Sequence, residues 1–287
     1  MTMRLKKEGE GTSQVRSVPS SRRAVVEGAL ATAAFVRLST TASAQPARRP
    51  RPPHPPEKNV RPMKFINLVK YRDLGKIASA RTAHFAYADR LREQGKLAIG
   101  GPLLDDHGHR IGLLFIYEAA SRDEALSFAR EDPFTLANAL RSSEIIEWRL
   151  RGVNRDLLVK ANRSGDKSVG EDTQIRLFAN CARYTADKLK LTAARPAHWE
   201  YDRKLKAVGK LALAGPFADN TGGLFVYNAA SRAEAISHLT EDPFALKGVF
   251  ARNELFEWLI EGVKPDLLVS DCSSESQESA ALQQEHL

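Results

Sequence analysis

Two histidine–aspartate pairs carry the clearest chemistry in this chain: His84 with Asp132, and His198 with Asp242. An imidazole titrates near neutral pH, so it can take up or give away a proton under working conditions. A carboxylate beside it fixes the tautomer and stabilises the imidazolium. Each residue also has a structural reading. A histidine on an inward helix face can simply bond a backbone carbonyl, and Asp before Pro is a favoured helix N-cap. Near each histidine stand further candidates: Arg81 and Arg195, three residues earlier, which could clamp a carboxylate or phenolate, and Tyr87 and Tyr201, three residues later on the same helix face. Gly101-Pro102 and Gly215-Pro216 close a strand where backbone could approach a ligand or shape a hairpin.

These candidates come in pairs because the chain is duplicated. Ala80–Leu103 and Ala194–Phe217 are identical at 12 of 24 positions. The match continues through Gly112–Phe134 with Gly222–Phe244, and through Glu147–Val159 with Glu257–Val269. Each copy is the size of one small domain, too long for a solenoid repeat.

Within one copy, MKFINLVKY reads as a strand with Phe65, Asn67 and Val69 on one face and Ile66 and Leu68 on the other. Residues 80–94 read as a helix stopped by Gly95; KLAIGGPL and GLLFIYEA are strands joined by a hairpin. Ser121 with Glu124, and Ser231 with Glu234, are capping boxes that start a second helix, which Asp-Pro ends. SEIIEWRL is the fourth strand. The order β-α-β-β-α-β predicts an α+β, ferredoxin-like unit, and two units packing sheet against sheet.

The net charge of +8 does not mark a nucleic-acid binder, because residues 1–56 hold ten basic and three acidic residues and the remainder is nearly neutral. No apolar run reaches transmembrane length, so no membrane partner is expected for the mature chain. Two cysteines, Cys181 and Cys272, make neither a disulfide framework nor a metal knuckle. The hairpin DDHGHR (Asp105–Arg110) holds two acids and two histidines but reads as a solvated tip, and no metal or cofactor is expected. There is no nucleophile elbow, Gly-rich phosphate loop or HExxH.

The expected organisation is a signal peptide over 1–44, a Pro/Arg-rich tether over 45–61, domain 1 over 62–159, a linker over 160–173, domain 2 over 174–269 and a tail over 270–287. Ser21-Arg22-Arg23, a short apolar stretch and Ala42-Ser43-Ala44 resemble a twin-arginine export signal cleaved after Ala44, despite the acidic Glu27.

The helix His, the Gly-x-Leu-x-x-x-Gly-Pro run, Ala-Ser-x-x-Glu-Ala and Asp-Pro-Phe, in that order and in both copies, resemble the YCII-related (YciI-like) domain family. The resemblance implies the fold of the dimeric α/β barrels, here a monomeric pseudo-dimer. It also implies a ligand cleft beside His84–Asp132, or His198–Asp242, or both. The expected ligand is a small aromatic or acidic organic molecule, and the expected chemistry cofactor-free proton transfer by a lyase or isomerase. A binding module with structural histidines is the other reading. Glu200 beside His198 and the shorter second hairpin favour the first copy as the working one.

Overall fold

The computed structural model describes residues 62–163 and 175–270. The first copy runs β1 (Met63–Tyr71), α1 (Leu74–Glu93), β2 (Leu97–Leu104), β3 (Arg110–Ala119), α2 (Arg122–Glu131), α3 (Pro133–Leu136) and β4 (Leu140–Trp148). A crossing segment follows, β5 (Gly152–Val153) and α4 (Arg155–Ala161). The second copy repeats the order: β6 (Leu177–Tyr184), α5 (Lys188–Ala207), β7 (Leu211–Pro216), β8 (Gly222–Asn228), α6 (Arg232–Glu241), α7 (Pro243–Leu246) and β9 (Phe250–Trp258).

The expected helices form where the caps dictate. Ser121 and Ser231 accept from the backbone N–H of Glu124 and Glu234, while those glutamates reach back to the N–H of Ala120 and Ala230. The first helix begins earlier than expected, at Leu74, because the Asp73 side chain caps it through the Lys76 N–H; Asp187 does the same for α5. The helix that Asp132-Pro133 starts is a single turn, ending before Asn138, which turns into the left-handed region at φ 53°.

All nine strands among the described residues lie in one sheet, ordered β4-β1-β3-β2-β9-β6-β8-β7-β5. The copies meet edge to edge where β2 pairs with β9, Leu103 opposite Trp258. Alternation along β1 then decides what each side chain meets. Ile66 and Leu68 enter a core shared by both copies, with Trp148, Trp258, Leu177 and Phe217. Phe65 and Val69 enter a separate core under α1 and α2. The expected barrel is not a closed ladder. The ends of the sheet approach through one bridge, Trp148 opposite Phe217, and through the bonds from Arg149 N–H to Pro216 O and from Arg151 N–H to Ala214 O. Both seams are tied by a tryptophan: Trp148 Nε1 donates to Gly215 O at 2.8 Å and Trp258 Nε1 to Gly101 O at 3.2 Å.

This explains the repeated Gly-Pro. A Cβ on Gly101 would stand 1.8 Å from Leu259 O, and one on Gly215 2.0 Å from Arg149 O. The glycines let the other copy's backbone approach. Among the described residues, no helix is long and apolar enough to cross a membrane.

Candidate functional site

Each histidine does meet its aspartate. His84 Nδ1 lies 2.9 Å from Asp132 Oδ1, and His198 Nδ1 lies 2.8 and 2.9 Å from the two oxygens of Asp242. The same aspartates cap the short helices, accepting from Phe134 N–H at 2.8 Å and Phe244 N–H at 2.7 Å. Capping and pairing therefore coexist. A carboxylate already accepting backbone N–H is an acceptor, which places the proton on Nδ1 and leaves Nε2 as each ring's other pole. His84 lies between Phe134, stacked at 3.9 Å, and Phe115, parallel at 5.6 Å; His198 stacks on Phe244 at 3.8 Å.

The surroundings then diverge. A cavity of about 610 Å³ opens at the second pair, whereas the sequence favoured the first. Its wall takes Arg149, Arg151 and Gly152 from the end of the first copy, and Arg195, His198, Asp202 and Lys206 from α5. Tyr184, Leu191, Trp199, Leu211 and Phe225 supply its apolar side. In the first copy the duplication places Leu259 and Glu261 where the cavity has Arg149 and Arg151, and Asp89 where it has Arg203. Arg92, at the Lys206 place, lies against Gly262: its Nη2 is 2.2 Å from where a Cβ on that glycine would stand. The guanidinium thus fills the space over Gly262, whereas Gly152 has nothing nearer such a Cβ than Ala214 Cβ at 3.5 Å.

Cationic groups dominate the open cleft. Arg195 lies 6.0 Å over the Trp199 ring, and Arg203 and Lys204 pair with Glu200. Against them stands Asp202, one turn after His198, with Oδ2 3.5 Å from His198 Nε2 and Oδ1 without a hydrogen-bond partner. Burial pushes the Asp202 carboxyl up to about 7; His198 opposes this and Asp242 adds to it. Burial works against charge on His198, but Asp202 and Asp242 outweigh it and raise its pKa above the ordinary value.

The other sequence candidates divide. Arg195, Gly215 and Pro216 line the cavity. Arg81 is exposed on α1, and Gly101 and Pro102 are buried at the other seam. Tyr87 and Tyr201 tie their helices to the next one, donating to Phe128 O and His238 O at 2.8 Å, and neither lines the cavity. At the DDHGHR tip, Asp105 accepts from the N–H of His107 and His109 at 2.9 Å, so its carboxylate closes a turn. Among the described residues, the set whose atoms lie close enough to hold an ion is instead His198, Asp202 and Asp242. The first pair makes the same Nδ1–carboxylate contact with Ala88 in the place of Asp202, so that contact needs no ion. Asp202 is legible in hindsight as the i+4 neighbour of His198. Arg149 and Arg151 have no local signal, because the seam brings them in.

Fold and site together define a duplicated α+β protein with a ligand-sized cleft between its copies. The YCII-related domain family matches residues 63–149 and 177–259, and the chain belongs to that family. Among solved structures, it is similar to 5-chloro-2-hydroxyhydroquinone dehydrochlorinase from Burkholderia phenoliruptrix AC1100, at 33% identity over 31% of this chain and 96% of that one, with a TM-score of 0.28. It is also similar to an anthrone oxidase-like protein (10% identity, 74% and 97% covered, TM-score 0.46). A chlorite dismutase from Candidatus Nitrospira defluvii is a further likeness (14% identity, 72% and 93% covered, TM-score 0.45). No curated protein matches the chain.

Proposed function

We propose that this chain binds a small organic anion in the second cleft and moves a proton on it, as a cofactor-free lyase or isomerase. We read its two halves as a pseudo-dimeric α/β barrel in one chain, with the first pair, His84–Asp132, structural. The observation that carries the reading is a cavity with an apolar wall, several cationic groups and a carboxylate-held histidine in one place. Guanidinium groups suit carboxylates and enolates, and the apolar wall suits a ring. A proton acceptor beside them can take a C–H proton while the cations stabilise the anion left behind.

The binding module without chemistry is the second reading. It is favoured by the first copy, where the same His–Asp pair is buried between phenyl rings and caps a helix. The two readings separate on phenylpyruvate, an aromatic keto acid with an acidic benzylic C–H. Thermal shift should show phenylpyruvate and benzoate raising Tm and benzamide failing to. NMR in deuterated water should show the protein accelerating exchange of the benzylic hydrogen. His198→Asn should slow that exchange about 100-fold, while His84→Asn lowers Tm and leaves it unchanged. Equal loss in both variants, or exchange no faster than in buffer, would remove the enzyme reading. Benzamide binding as well as benzoate would remove the anion.

Export is proposed on the sequence alone, since Arg22, Arg23 and Ala42–Ala44 lie outside the described residues. Mass spectrometry of the native protein should find Gln45 as the first residue; an intact Met1 in a cytoplasmic fraction would refute it.

A further inference from the structure

Asp202 has no counterpart in the first copy, where Ala88 occupies its place on α1. It is a carboxylate in the middle of a helix, facing inward, with one oxygen unpartnered. An unsatisfied polar atom in such a place costs stability and calls for a reason. Its surroundings supply one. The Nδ1 of His198 is held by Asp242 and the ring is stacked on Phe244, so Nε2 is the pole left toward the cavity. Asp202 Oδ2 stands 3.5 Å from that nitrogen, and both residues line the cavity. The histidine itself is only 4% exposed, whereas the Asp202 side chain keeps 17% exposure and lines the cavity.

We propose that Asp202 is the catalytic carboxyl of this cleft, taking a proton from the bound anion and returning it, with His198 as a positioning residue held by Asp242. The proposal rests on the reading of the cleft as an organic-anion site. In the first step the carboxylate of Asp202 accepts a proton from a carbon next to the ligand's carbonyl. The C–H bond breaks, its electron pair moves onto the carbonyl oxygen as an enolate, and an O–H bond forms on Asp202. In the second step Asp202 gives a proton back, to the same carbon in exchange or to another atom in isomerisation. Protons and charge balance within the ligand and one carboxyl.

The groups that set this carboxyl are on several elements. His198 lies on its own helix and Asp242 precedes α7; the carboxylate in turn raises Tyr201 on that helix, Tyr184 at the end of β6 and Tyr227 on β8. Arg195, a turn before His198, acts on that ring. A carboxyl poised near neutrality both accepts and donates readily, and Asp202 is pushed up to about 7 by its burial.

The test uses the full chain with carboxyl-labelled aspartate, and phenylpyruvate as probe. One carboxyl resonance, absent in Asp202→Asn, should titrate near neutral pH and shift when phenylpyruvate is added. Benzylic deuterium exchange should fall at least about 100-fold in Asp202→Asn, with phenylpyruvate affinity held within a few-fold. Asp202→Ala, which copies the first half's residue, is a second variant compatible with the helix and should behave likewise. In His198→Asn the Asp202 resonance should move, as expected of a group that positions it. Exchange that survives in either Asp202 variant overturns the proposal, as does an Asp202 resonance that ignores bound phenylpyruvate, or wild-type binding without exchange. If neither phenylpyruvate nor benzoate binds the wild type, the anion reading fails first and takes this inference with it.

Discussion

Alanine at Gly101 should destabilise the protein by about 3 kcal/mol or more, an effect larger than that of most single substitutions. The new Cβ would stand 1.8 Å from Leu259 O and 2.9 Å from its carbonyl carbon, and backbone cannot rotate aside as a side chain can. One of the two segments must move by more than an ångström. That movement breaks a row of bonds across the seam: Leu259 N–H to Pro102 O, Glu261 N–H to Gly100 O, Gly100 N–H to Gly262 O and Lys264 N–H to Ala98 O. Each contributes about 1 kcal/mol net, and a buried orphan costs more. The shared core on the inner face of the sheet loosens with it, because Leu103 and Trp258 are fully packed at that point. Gly215→Ala should act similarly, against Arg149 O at 2.0 Å, and should also distort the cavity wall. Gly152→Ala is the control, since its Cβ would make ordinary contact at 3.5 Å. Urea unfolding gives the answer directly. A Gly101→Ala protein as stable as Gly152→Ala would show that the strands do not approach as described.

The sequence carried what is local and what is repeated. Capping boxes, the Asp-Pro stop and the alternation along β1 each depend on neighbours within a few residues, so they could be read, and the structure repeats them in both copies. The meeting of His84 with Asp132 needed only that α1 and α3 cover the same sheet face. Two kinds of information were not local. The start of α1 depends on one cap, Asp73, whose type is common in loops. The edge pairing of β2 with β9 depends on segments more than 150 residues apart, and a Gly-Pro dipeptide does not say whether a ligand or a backbone will approach it. The place of the cavity was hidden for the same reason. Glu200, which weighed against the second copy, pairs with Arg203 and Lys204, whereas Arg92 fills the space over Gly262 in the first. A side chain that fills a space is invisible until the space is seen.

Stability should fall as pH rises, and removing Asp202 should remove much of that fall. A carboxyl with its folded pKa above its unfolded value binds a proton more tightly in the native state. Its contribution is intact below the ordinary value of 3.8 and is lost as pH rises through about 7. His198, raised above its ordinary 6.5, works in the same direction: the stability it adds is complete below that value and is lost as pH climbs past its folded pKa. The wild-type protein should therefore lose stability between about pH 4 and about pH 8. In Asp202→Ala the buried carboxylate is gone, and so is one of the two acids that raise His198. The variant should match the wild type near pH 5 and exceed it near pH 8.5 by on the order of 2 kcal/mol, allowing for partial exposure and the imidazole partner. Urea unfolding at the two pH values reads the difference. A variant weakened equally at both would mean that Asp202 is an ordinary, charged and satisfied carboxylate. A variant that gains at high pH would instead show that the wild type tolerates a destabilising group at the wall of its cavity, which is the signature expected of a residue kept for chemistry rather than for folding.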